Sequence, residues 1–196
     1  IRELMHTAFI YEDHLLHFFY LGGPDLLMAS NDKGFGRNIF GVIGKLGKKI
    51  GKKVIEIRKR VRGLNALISG SPLYPVCGLP GGVSKPISEE ERAGIKEIAR
   101  DALAFARLCL NIFEEEVLAN REYLDLMHSE AYSLQTYYMG MVDRKNHVSF
   151  YDGEIRVVDP GGAEFEKFAA GDYLNHLEER VDSWSYMKTL YLKSIG

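Results

Sequence analysis

Between Ile39 and Ile68 apolar residues fall at 39, 43, 46, 50, 54, 57, 61, 64 and 68, an unbroken run of threes and fours. That spacing keeps one stripe on one side of an α-helix and predicts a helix of about eight turns. Gly41, Gly44, Gly47 and Gly51 run along its flank, each costing about 1 kcal/mol of helix stability relative to Ala. Either close packing against a neighbouring helix compensates, or the helix frays there. Residues 1–20 carry a second helical rhythm, stopped by Gly22, Gly23 and Pro24. A short helical turn at PDLLMAS and a loop at NDKGFG follow.

Residues 69–86, SGSPLYPVCGLPGGVSKP, are too rich in Pro and Gly for a regular element. Leu73, Tyr74, Val76 and Leu79 predict that this connector packs down onto the core. Ser88 and Glu91 form a capping-box pattern that opens a helix running to about Ala119. Its inward residues are expected to include Ile95, Ile98, Leu103, Phe105, Leu108, Ile112 and Val117, and NREYLDLMHSEAY continues the helical pattern.

The period then changes. TYYMGMVD, HVSFY and EIRVVD alternate as strands, and Asp152-Gly153 between the last two predicts a two-residue hairpin turn with positive φ. Gly161 and Gly162 are expected to close this meander, and residues 171–191 return to a helical spacing. The expected fold is mainly α, a multi-helix bundle with a small antiparallel β meander. Its organisation reads as helices over 1–68, a connector over 69–86, helices over 87–136, a small sheet over 137–160 and a helix over 161–196.

Composition narrows the function classes only slightly. The 196 residues are 46% hydrophobic with a net charge of -2, which suits a chain with a substantial core and no global bias toward nucleic acid or lipid. No apolar run approaches the ~18 residues needed to span a bilayer, and no leader pattern opens the chain. Cys77 and Cys109 form no CxxC pair, so a reducing compartment, the cytoplasm, is the expectation. A start already in helical rhythm, IRELMHTAF, reads as a segment of a longer protein.

Candidate chemistry concentrates in YEDHLLHFFYLGGPD. His6, Ile10, Asp13 and His17 share one helical face at 4-3-4 spacing. His6 and His17 stand about 16 Å apart along the axis and cannot hold one ion. Position 14 is His rather than the Glu of a Glu-x-x-His di-iron pattern, so no metal site is expected. Asp13 and His17 remain either a proton-handling pair poised near neutral pH or a satisfied polar pair between helices. A small metal enzyme built on Asp13, His14 and His17 is the remoter alternative. Ten Lys or Arg lie between Arg37 and Arg62 against Glu56 alone. From Lys45 to Arg62 no aromatic residues interleave with them to stack bases, which favours a solvated face or one docking an acidic partner over nucleic acid.

Three blocks taken together resemble a known family. IRELMHTAFIYEDHLLHFFYLGGPD resembles the segment of nickel–iron hydrogenase large subunits in which a helix bearing Asp-His-x-x-His-Phe leads into a loop with an Asp. SPLYPVCGLPGG is similar to that family's His-Pro…Pro-Gly-Gly connector, with Tyr74 where the family has His. TYYMGMVD…FYDGEIRVVDPGG…DYLNHLEERVDSWSYMK resembles its small sheet and following helix, best in the soluble branch linked to deazaflavin, nicotinamide or heterodisulfide acceptors. The resemblance implies the central part of a nickel-dependent hydrogenase large subunit, oxidising or producing hydrogen in the intact enzyme. It implies a nickel–iron centre in the parent enzyme, and an iron–sulfur small subunit with electron-transfer subunits as partners. The family's two CxxC pairs are missing here, so the segment alone is expected to bind no centre and to be inactive. Asp13 and His17 match the motif's acidic residue and second His, implying a supporting role beside the metal. The competing expectation is a stand-alone helical interaction module using the basic helix.

Overall fold

Helix α1 (Arg2–Leu16) runs into one π-helical turn, His17–Leu21, before the short α2 (Gly23–Met28). The turn is tight enough that a Cβ on Gly23 would lie 2.6 Å from Phe18 O, so the second glycine of the Gly-Gly is a steric requirement. The computed structural model describes residues 1–28 and 36–195, and the NDKGFG loop, except for Gly36, lies outside them. The chain divides into two compact units, Ile1–Tyr132 and Ser133–Gly196.

In the first unit, the single eight-turn helix expected from Ile39 is two helices, α3 (Ile39–Leu46) and α4 (Lys48–Ser69). Gly47 separates them at φ +91°, a conformation that side chains rarely tolerate. The chain doubles back there, and a Cβ on Gly51 would meet Ile43 Cγ1 at 3.0 Å. One flank glycine therefore breaks the helix and another lets the two pieces pack. Asn38 caps α3, its Oδ1 accepting from the backbone N–H of Phe40 (2.9 Å) and Gly41 (3.2 Å).

The connector folds into a two-residue antiparallel pair, β1 (Gly78–Leu79) and β2 (Gly82–Val83). It does not pack down as expected: Leu73, Tyr74, Val76 and Leu79 are 49–80% exposed, and after Ser69, which ends α4, only Cys77 is buried. Polar contacts hold it instead. Arg2 Nη2 donates to Leu79 O and Gly82 O at 2.7 Å each, and Ser69 Oγ bonds both Asn65 O and Ser71 O at 2.7 Å. Helix α5 (Glu89–Phe113) starts from the expected capping box. Ser88 Oγ accepts from Glu91 N at 3.1 Å, and the Glu91 carboxylate accepts from Ser88 N at 2.9 Å. A π-helical turn, Glu114–Leu118, and α6 (Arg121–Met127) complete the unit. The core lies among α1, α4 and α5, where Phe19, Ile57, Val61, Phe105 and Val117 are buried. Each such side chain contributes about 1.5–3 kcal/mol. Leu103 and Leu108 stay exposed, because the inward line of α5 is Ile95, Ala102, Phe105 and Ile112.

The second unit overturns the expected mainly α bundle. It holds an antiparallel sheet β3–β4–β5 (Tyr138–Val142, Glu154–Val158, Glu164–Phe168), a single turn α7 (Tyr173–His176) and a hairpin β6–β7 (Leu177–Val181, Lys188–Leu192). With β1–β2 this makes three separate small sheets among the described residues, an α/β composition, and residues 161–195 are not one helix. Leu174, Leu177, Val181 and Trp184 mimic helical spacing, but Val181 and Trp184 are 72% and 77% exposed. Leu177 pairs with Leu192 across the hairpin, and both pack on Val157 and Phe168. Tertiary burial outweighs local helical spacing here.

The Asp152-Gly153 turn is also displaced. β3 pairs directly with β4, Tyr138 opposite Val158 through Val142 opposite Glu154, so HVSFY lies in the connecting loop. Positive φ falls at Asn146 (65°), where Asp143 Oδ1 accepts from the N–H of Lys145 (2.7 Å) and His147 (2.9 Å). Gly153 serves close approach instead: a Cβ there would sit 2.6 Å from Ser149 O. No helix among the described residues is long and apolar enough to cross a membrane.

Candidate functional site

The inward line of α1 is Ala8, Glu12, Leu15 and Phe19, all buried. It follows the same 4-3-4 spacing as His6, Ile10, Asp13 and His17, displaced by two positions. Asp13, His14 and His17 consequently face outward and are exposed. Asp13 and His17 make no ion pair with each other, and His14 Nδ1 donates to Ile10 O at 2.8 Å. The His17 ring lies over Gly22, where a Cβ would meet His17 Cε1 at 3.5 Å.

The charged residue that α1 does bury is Glu12, 7% exposed overall. Arg58 of α4 donates to its Oε1 through Nε at 2.8 Å and Nη2 at 2.5 Å. Arg62 Nε stands 3.4 Å from the same oxygen. The Arg58 guanidinium also lies 4.9 Å from the centre of the Tyr20 ring, a cation–π contact. One carboxylate thus joins α1 to α4 and orients the end of the π-helical turn. The sequence signal for it is an acid inside an otherwise apolar line, opposite an Arg-rich helix. Arg60 reaches from α4 to α5, pairing with Asp101 and Glu97. Tyr11 ties α1 to α5 by donating to Ala102 O at 2.8 Å, and burial raises its pKa.

In the second unit Glu166 is held by two donors. Ser194 Oγ donates to Oε1 at 2.6 Å and His176 Nδ1 to Oε2 at 3.0 Å. His176 stacks on Phe168 with centroids 3.9 Å apart. The hydrogen bond from Ser194 first, and that from His176 after it, hold the Glu166 carboxyl below its ordinary range. The carboxylate separates serine from imidazole, so the arrangement lacks the contact that activates a serine nucleophile. It clasps β5, α7 and the turn after β7.

Among the described residues no three or more His, Cys, Asp or Glu converge on a position for a metal ion. Cys77 is buried, with Sγ 3.5 Å from Met5 Sδ. Cys109 lies on α5, where burial pushes its thiol up to about 12. Iron–sulfur clusters are held by four Cys, or two Cys with two His, and require thiolate. These two cysteines do not fit such a cluster.

No family model matches the chain. It is 38% identical over all 196 residues to an iron–sulfur subunit of the F420-non-reducing hydrogenase of Archaeoglobus profundus, covering 40% of that protein. It is 32% identical over 196 residues to a vhu subunit of the F420-non-reducing hydrogenase of Methanocaldococcus jannaschii, covering 46% of it. Identity is 28% over 203 residues to the beta subunit of the NAD-reducing hydrogenase HoxS of Cupriavidus necator, covering 40%. Among solved structures, an NAD+-reducing [NiFe]-hydrogenase in the H2-reduced state matches with a TM-score of 0.87 and 28% identity, over 100% of this chain and 42% of that one.

These findings bear out the expected relationship to hydrogenases, which are oxidoreductases, and correct the expected subunit. The Archaeoglobus relative is an iron–sulfur subunit, and none of the three names identifies a nickel-binding large subunit. The nickel–iron centre expected for the parent is likewise corrected, since the redox group named for that relative is iron–sulfur. So is the expected iron–sulfur partner, which is the kind of chain this one resembles. Over its whole length the chain is similar to hydrogenase subunits, and it spans less than half of the curated relatives it matches.

Proposed function

We propose that the chain is the framework of a hydrogenase subunit of the iron–sulfur-named kind, serving electron transfer in an assembly that exchanges electrons with hydrogen. The observation that supports this is the 38% identity to the Archaeoglobus iron–sulfur protein over all 196 residues. Framework is the fitting role, because the two cysteines suit no cluster and charged side chains instead lock α1, α4 and α5 together. Iron–sulfur ligands for such an assembly come from residues other than these. The reading takes the assembly to be cytoplasmic, consistent with cysteines that are both free.

Asp13 and His17 enter this reading as positioning residues. Both are exposed and not paired with each other, Asp13 on the outward side of α1 and His17 one turn on in the π-helical turn, which leaves a carboxylate and an imidazole available to a group outside this chain's own packing. The test uses the full-length protein in its assembly, assayed for hydrogen-dependent reduction of a viologen dye. Asp13→Asn should leave the fold and iron content unchanged, lower turnover by at least about tenfold and shift its pH profile. An unchanged rate and profile would remove the role. An intact assembly with no hydrogen-dependent reduction at all would refute the hydrogenase reading itself.

A further inference from the structure

Helix α4 leaves one line of cations unneutralised. At 100° per residue, Lys48, Lys52, Ile55, Lys59 and Arg62 fall within about 80° of one another around the axis and extend about 21 Å along it. All five are exposed, Ile55 at 56%. No carboxylate among the described residues pairs with Lys48, Lys52 or Lys59. Arg62 is 48% exposed, only loosely attached to Glu12 at 3.4 Å. Beside this line runs an open groove of about 540 Å³ whose walls include Tyr20, Ile55, Lys59, Arg62 and Leu73. Leu73 is itself 63% exposed. The surface therefore combines a straight row of positive charge with apolar side chains at its middle and edge.

We propose that this face of α4 docks an acidic, amphipathic segment of a partner subunit, a reading that rests on the proposed place in a hydrogenase assembly. Charge complementarity selects the occupant. The whole chain is slightly acidic, with a net charge of -2, so the row is a local concentration of positive charge on an otherwise balanced molecule. Its positions recur every three to four residues, the spacing at which a partner helix presents successive carboxylates along one face. Ile55 and Leu73 supply the apolar contact that such a segment buries between its acids. Nucleic acid fits less well, because the aromatic ring beside the row, Tyr20, is already faced by the Arg58 guanidinium. The relatives are named as subunits, which makes another subunit the occupant that this reading commits to. Docked carboxylates would steer association and set register.

The decisive experiment is zero-length carbodiimide cross-linking of the intact parent assembly, read by mass spectrometry. Links from Lys48, Lys52 or Lys59 to Asp or Glu of another subunit are expected. The triple variant Lys48→Glu, Lys52→Glu, Lys59→Glu should bind that partner at least about tenfold more weakly at low ionic strength, the difference shrinking as salt rises. Lys49→Glu, a quarter turn away on the same helix, should bind as wild type does. Links confined to the chain itself, no links, or undiminished affinity in the triple variant would overturn the proposal. So would salt-sensitive binding of the row to anionic vesicles or to DNA with partner binding unaffected. The cross-link map needs no variant, so it decides the matter even if charge reversal impairs folding. Loss of hydrogen-dependent dye reduction in the wild-type assembly would count against the hydrogenase reading alone, because the links and affinities are read without turnover.

Discussion

Replacing Glu12 by Gln keeps the shape of the side chain and removes the charge that Arg58 and Arg62 share. Removing one partner of a buried ion pair costs about 3–5 kcal/mol, because the other charge remains desolvated. Here the Arg58 side chain keeps 16% of its exposure and Arg62 48%. Hydration therefore recovers part of the loss. The Tyr20 ring also continues to face the Arg58 guanidinium. The expected destabilisation is about 2–3 kcal/mol, or roughly 6–12 °C in melting temperature for a unit of this size. Urea unfolding followed by far-ultraviolet circular dichroism reads it, since the first unit carries the long helices. The only tryptophan, Trp184, lies in the second unit, so its fluorescence does not report on this pair directly. Glu12→Leu combined with Arg58→Met, an apolar substitute for the pair, should return to within about 1 kcal/mol of wild type. A coupling energy near 2 kcal/mol is expected from the double-mutant cycle. Coupling near zero, or a loss below about 0.5 kcal/mol in Glu12→Gln, would refute the claim that this pair holds α1 against α4.

Three further outcomes can be checked on the same protein. Glu166 titrates below its ordinary value of 4.5 in the folded chain, so its contribution is complete above that pH and is lost as pH falls through the lowered value. The Trp184 midpoint should show that acid loss, and Glu166→Gln should flatten it; an unchanged slope in the variant would dissociate the clasp from acid stability. Cys109, with its thiol pushed up to about 12, and the buried Cys77 should both resist a thiol-reactive dye at pH 8 until the chain is unfolded. Rapid labelling of either in the native state would contradict that packing. Asn38→Ala removes the cap of α3 and should cost about 1 kcal/mol, whereas Asn38→Ser should recover most of it.

What could be read from the sequence depended on whether the signal was local. The Ser88–Glu91 capping box and the Gly22-Gly23 stop act within a few residues, and both stand in the structure. Gly47 was visible as a weak point, but whether it would pack or break the helix depended on α3 folding back so that Ile43 reaches Gly51. The second unit misled for the opposite reason. Leu177 and Val181 sit at helical spacing, while the partners that make them a hairpin, Leu192 and Lys188, are 15 and 7 residues away. On α1, two lines with identical 4-3-4 spacing compete. Only the neighbouring helix decides that Glu12 turns inward and Asp13 outward.

That decision also divides the cations of α4. Arg58 and Arg60 project toward the helices packed against α4 and are neutralised by Glu12, Asp101 and Glu97. Lys48, Lys52 and Lys59 project away from them, and Arg62, 3.4 Å from Glu12, stands at the border between the two sets. Arginine occupies the paired positions, where a planar fork with several donors can satisfy a buried carboxylate and stack on Tyr20. Lysine dominates the open row, where a strongly hydrated point charge on a flexible stem stays in water until a partner arrives. On α4 the arginines turned toward its neighbours act in the folding of this chain, and the unpaired lysines of the row, with Arg62 beside them, act in what it meets.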